Sequence, residues 1–164
     1  MSNDFKALDF LQGRTYPTRD VKVYVDEVVS AELGPLLDVP ENDRTAAQSK
    51  KIKELVKRAE DGALTFKLSG LPQHVLNDIY DTDDDSGTAN STRDDHLLLA
   101  ASIRSISNAQ GGVDERTFTP EEVAVIAGSL PMQAYRVLLS EVNTLAVSSM
   151  AYDRAMDAGF FPKS

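Results

Sequence analysis

Two short segments with period-two alternation stand among long stretches of helical periodicity, and they limit what this chain can fold into. Val21, Val23 and Val25 alternate with Lys22, Tyr24 and Asp26, while Leu64, Phe66 and Leu68 alternate with Thr65 and Lys67. Such a segment buries one face and leaves a row of backbone N–H and C=O groups that must find partners. These two strands are expected to pair only with each other. A two-stranded ribbon is marginal by itself, so helices must cover its apolar face. The expected fold is mostly α, a helical domain with one small two-stranded β ribbon.

The helices are read from apolar spacing and end signals. Phe5, Leu8 and Leu11 give a short amphipathic helix that Ser2 or Asn3 caps and Gly13 stops. Residues 14–20 carry Pro17 and read as a linker. A second helix begins at Asp26 and is kinked or ended by Gly34-Pro35. Ile52, Leu55, Val56 and Ala59 mark a third over residues 44–61, stopped by Gly62, and Pro72 opens a fourth. Thr92 is expected to cap a buried helix through Asp95, with Leu97, Leu98, Leu99, Ala100, Ala101, Ile103 and Ile106 spread around it. Thr119-Pro120-Glu121-Glu122 has the form of a capping box ahead of Val123 and Ile126. Pro131 opens a helix bearing Tyr135, Leu138, Leu139 and Val142, and residues 150–158 form a last short one. Residues 1–20 thus read as an N-terminal helix and linker, 21–80 as a β-α-α-β-α unit and 81–92 as an acidic loop. Residues 93–164 form a C-terminal helical unit packed with the preceding one as a single domain. The core is expected to draw on Val23, Val25, Ile52, Leu55, Leu64, Phe66, Leu68, Leu98, Ile103, Val123, Ile126 and Leu138.

Charge and composition narrow the function. The 164 residues carry 17 basic and 26 acidic side chains, a net charge of −9. That balance repels phosphate backbones and anionic lipid, so neither nucleic acid nor membrane is expected as a partner. No apolar run approaches the roughly 18 residues of a spanning helix, and a soluble cytoplasmic protein is expected. With no cysteine there is no disulfide, thiol nucleophile or cysteine zinc site. A chain of this length buries about 68% of its unfolded surface, enough for a core without a metal.

The chemical motifs are few. Asp81-Thr82-Asp83-Asp84-Asp85-Ser86-Gly87 alternates carboxylates as a calcium loop does, but the sixth and twelfth positions hold Ser86 and Thr92 instead of glycine and glutamate. His74 and His96 are the two histidines, with no H-E-x-x-H spacing. A small metal-dependent hydrolase using them ranks last. There is no G-x-S-x-G, S-x-x-K or phosphate-binding glycine loop. No catalytic, metal or cofactor site is expected, and the chain is not read as an enzyme. Lys50, Lys51, Lys53, Lys57 and Arg58 concentrate positive charge on one helix, a solvated face or a surface for an acidic protein. Met150, Tyr152, Met156, Phe160 and Phe161 lie near the terminus, where burial is hardest to arrange; if exposed, they form a partner-binding surface.

Taken in order, the pieces have a precedent. The opening Asp9-Phe10-Leu11, the strand Val21-Lys22-Val23-Tyr24-Val25 with its acidic helix, the basic helix leading to Ala63-Leu64-Thr65-Phe66-Lys67-Leu68-Ser69-Gly70-Leu71-Pro72, and Phe118-Thr119-Pro120-Glu121-Glu122-Val123 with two further helices cover nearly the whole chain. In order and spacing the chain resembles the tail assembly chaperones of long-tailed bacteriophages, in particular those infecting actinobacteria. The resemblance implies a non-catalytic helper without cofactors, active in the host cytoplasm during viral morphogenesis and absent from the mature virion. Its implied partners are the helical tape measure protein, the tail tube protein, and a longer form of itself made by ribosomal slippage. The alternative is a structural tail or neck protein that stays in the particle.

Overall fold

In the computed structural model, residues 4–80 and 91–162 are described. Four strands, β1 (Thr18–Val23), β2 (Leu64–Ser69), β3 (Ile103–Asn108) and β4 (Val113–Glu115), form one antiparallel sheet in the order β1-β2-β3-β4. The protein is therefore α+β, and the expected two-stranded ribbon is half of a larger sheet. The expected pairing is present: Val21 faces Phe66 and Val23 faces Leu64. Its register begins at Thr18, inside the segment read as a linker, and Val25 lies beyond the strand. Beside β2, however, stands β3, cut from the end of the expected buried helix, so the C-terminal part of the chain is not purely helical.

A bulge explains why β3 looked helical. Lys67 faces Ser105 but Leu68 faces Ile103, leaving Arg104 as the extra residue. Ile103 and Ile106 are three apart, the spacing of one helix face, and the bulge lets a strand turn both toward the same side. Helix α5 (Ser91–Ser102) ends where β3 starts, and Thr92, expected as its cap, lies within it. The pair of strands β3 and β4 is joined by a turn in which Gly111 takes a φ of +88°, while the Asn108 side chain accepts from the N–H groups of Gln110 and Gly112.

The sheet has one apolar and one polar face. Val21, Val23, Phe66, Leu68 and Ile103 are buried against α4 (Gln73–Tyr80), α5, α6 (Pro120–Ser129) and α7 (Met132–Ala146), which contribute Ile79, Leu98, Leu99, Val123, Leu138, Val142 and Leu145. Of the expected core, Val25, Leu64 and Ile126 are only partly buried against this cluster. On the opposite face Asp20, Lys67 and Glu115 are exposed and lie in one cross-strand row through Ser105. Helix α7 crosses β1 and β2, and Arg19 forms an ion pair with its Glu141. Thr119 and Glu122 make the expected capping box at α6, and Arg116 pairs with Asp114 and Glu122 while its guanidinium lies 4.6 Å from the Phe118 ring centre.

Between the facing residues Val23 and Leu64 the chain makes a helical excursion. Helix α2 (Glu27–Leu37) is capped by the Asp26 side chain, which accepts from the Val29 N–H. Pro35 does not end it; standing in the last turn, the proline forfeits a single ladder bond. Helix α3 (Ala46–Asp61) starts from a Thr45–Gln48 capping box and packs on α2. Val29 and Leu55 are fully buried in this hairpin yet lie outside the main core cluster, and Ile52 is half-buried. The hairpin is thus an arm with its own small core. A clasp ties it to β1: Lys22 Nζ donates to Glu60 Oε2 at 2.8 Å and the Tyr24 hydroxyl donates to Glu60 Oε1 at 2.7 Å. The hydrogen bond from Lys22, then that from Tyr24, holds the Glu60 carboxyl below its ordinary range, and the same bonds raise the Lys22 ammonium and the Tyr24 phenol.

Two outcomes are expected. A depressed carboxyl stabilises the fold above its unfolded value and loses that effect as pH falls through its folded one; a raised ammonium does the reverse on the alkaline side. The clasp is therefore at full strength between the ordinary values of 4.5 for Glu60 and 10.5 for Lys22. Glu60→Gln should melt below the parent at pH 7, and the gap should close as both are acidified below pH about 4. Ser102 is buried and its hydroxyl has no hydrogen-bond partner among the described residues. Ser102→Ala should raise the urea unfolding free energy by up to about 1 kcal/mol.

Candidate partner-binding surfaces

The expected partner-binding residues follow the last buried turn of α7. Leu145 is buried; past Val147 the chain makes a short 3-10 turn, Ser148–Met150, and then α8 (Ala151–Asp157). No residue of α8 is buried. Met150, Tyr152 and Met156 are each about 60% exposed, Phe160 is 82% exposed and Phe161 43%. An apolar side chain left at this exposure has gained little from folding. The structure thus leaves all five outside the core, the condition under which the sequence reads them as a surface.

Local chemistry shapes this segment. Gly159, at φ +77°, donates to the Met156 carbonyl, and Phe160 donates back to the Ala155 carbonyl. Together these bonds form a Schellman ending to α8, with glycine at the position that needs a left-handed backbone. The reversal returns Phe161 to Tyr152, their ring centres 5.9 Å apart and tilted by 51°. Met150, Met156 and Phe160 stand around this pair in sequence without a ring contact of their own.

A second uncovered apolar element lies at the other end. Helix α1 (Ala7–Gln12) also has no buried residue, and Phe5, Leu8, Phe10 and Leu11 are exposed, Phe5 and Phe10 with ring centres 5.7 Å apart. The sequence reading found this helix and did not single it out as a site. The signal is in the sequence, since a short amphipathic helix marked by Phe5, Leu8 and Leu11 and followed by a proline-containing linker has little to hold it on a core.

The body carries one further concavity that no spacing in the sequence could reveal. A cleft of about 450 Å³ opens between α4, α5 and the start of α6, walled by Val75, Ile79, Leu97, Ala101 and Phe118, with Asp78 and Arg93 also at its lining. Nearby, burial pushes the Asp95 carboxyl up, against the opposing pull of His96, and likewise raises the Tyr80 and Tyr135 phenols.

The remaining candidates disperse. His74 is exposed on α4, whereas His96 is half-buried on α5 with its ring edge-on to Tyr135 at 6.4 Å. Among the described residues, no three His, Asp or Glu side chains converge on one point as a metal would need. The acidic run at residues 81–90 lies outside the described residues. Among the described residues no helix is long and apolar enough to cross a membrane. In comparison with known proteins, no family model, no characterised protein and no solved structure matches this chain.

If the terminal aromatic groups are surface and not core, the double change Phe160→Ser and Phe161→Ser should leave the melting temperature nearly unchanged and reduce binding of a fluorescent apolar dye. Leu145→Ala, at the last buried turn, should cost about 2–5 kcal/mol in urea unfolding.

Proposed function

We propose that this protein is a non-catalytic tail assembly chaperone of a long-tailed bacteriophage, binding the helical tape measure protein and helping to recruit tail tube subunits. The observation that carries the reading is the uncovered apolar surface at both ends of a chain with net charge −9. A tape measure protein is long and helical with apolar faces, and it stays soluble only while those faces are covered. Exposed Met150, Tyr152, Met156, Phe160 and Phe161 offer adaptable sulfur and broad rings to such a face. The excess negative charge keeps many bound copies from clumping by mutual repulsion. Reversible apolar association of this kind needs no catalytic group, cofactor or metal. On this reading the protein acts in the host cytoplasm during infection, with a longer frameshifted form of itself as a further partner.

The test is co-expression with the tape measure protein of the same phage, followed by affinity isolation and a count of bound copies. Several copies on a tape measure that is soluble only in their presence is the expected outcome, and the Phe160→Ser, Phe161→Ser double variant should release it. Absence of association, with stoichiometric amounts of the protein in purified particles by mass spectrometry, would replace the chaperone with a structural tail or neck subunit.

A further inference from the structure

The arm carries a surface of the opposite chemistry to the termini. Helix α3 buries Leu55 and half-buries Ile52 and Ala59 against α2, so residues half a turn away point outward. Lys50, Lys53 and Lys57, spaced three and four apart, form one exposed stripe on that outward side, and Lys51 stands at its flank. The stripe runs about 10 Å along the helix axis. Among the described residues none of these four lysines has an ion pair, and the two acidic side chains of the arm that do form one are taken by other partners: Glu60 by Lys22, with Tyr24 beside it, and Glu32 by Arg58 at 3.9 Å. On α3 itself the carboxylates left without an ion pair are Glu54 and Asp61, two against the four lysines. Val56, 47% exposed, borders the stripe three residues on from Lys53.

This is an unusual place for positive charge to gather. The chain as a whole is at −9, and four of its 17 basic residues stand unpaired within eight consecutive positions on a helix held away from the main core. We infer that the outward face of α3 is a docking surface for an acidic α-helical segment of a partner protein. Carboxylates repeating at three and four residues on such a segment would meet Lys50, Lys53 and Lys57 in turn, with a small apolar residue against Val56. Nucleic acid is disfavoured as the occupant, because α3 offers no aromatic ring for base stacking. The surface is distinct from the terminal apolar segments and does not rest on the chaperone reading.

The experiment uses the full chain, isotope-labelled, titrated at low salt with a helical alanine–glutamate peptide about four turns long. The expected result is saturable movement of the amide resonances of residues 50–58, abolished near 0.5 M salt as screening shortens to a few ångströms. The variant Lys50→Gln, Lys53→Gln, Lys57→Gln keeps exposed helix-forming side chains and should fold as the parent does by circular dichroism, yet bind the peptide roughly tenfold or more weakly. A reversed control, Glu60→Gln, should leave peptide binding unchanged. Tighter lysine-dependent binding of a short DNA duplex than of the peptide would overturn the proposal in favour of nucleic acid. Self-association lost in the lysine variant would overturn it in favour of a second copy, and unmoved α3 resonances with every probe would overturn it outright.

Discussion

The structure depends on the central strand β2. Phe66, fully buried, faces Val21 on one neighbour and Ile106 on the other, and Leu68 faces Ile103 across the bulge. With both of its edges hydrogen-bonded, β2 has no unpaired backbone row to shield, and its inward side chains provide the floor on which four helices rest. Sheet, arm and helical layer all follow from it: the arm is what lies between β1 and β2, and the layer begins where β2 turns into α4.

Around that strand the molecule divides its surface by chemistry. The core takes buried side chains from every helix between α4 and α7, while the two terminal helices, α1 and α8, contribute nothing buried. The arm keeps its small core to itself and turns lysines outward. A helix that contributes no side chain to a core keeps little tertiary stabilisation, and helices of six or seven residues have little of their own. Both helices therefore present apolar side chains that the core leaves uncovered.

Much of this was legible from local signals. The alternation of β1 and β2, the capping box at Thr119 and Glu122, the glycine stop at Gly62 and the burial of Leu55, Phe66, Leu68, Leu98, Val123 and Leu138 each rest on residues close in sequence, where spacing and side-chain chemistry carry the information. The exposure of Phe160 is set by packing, which spacing along the chain does not encode. The cleft beside Phe118 was invisible, because residues from three helices meet there and no spacing relates them.

What the sequence by itself determined is the periodicity of each element, its caps and stops, and the charge that the surface must carry, all properties of neighbours along the chain. The tertiary structure decided the fate of residues 103–108. Their threefold spacing suits a helix as well as a bulged strand, and the choice turned on the unpaired edge of β2, some forty residues earlier, whose backbone groups Ile103 to Asn108 satisfy. It also decided which apolar residues stay uncovered, since burial depends on a partner surface and not on the apolar residue alone.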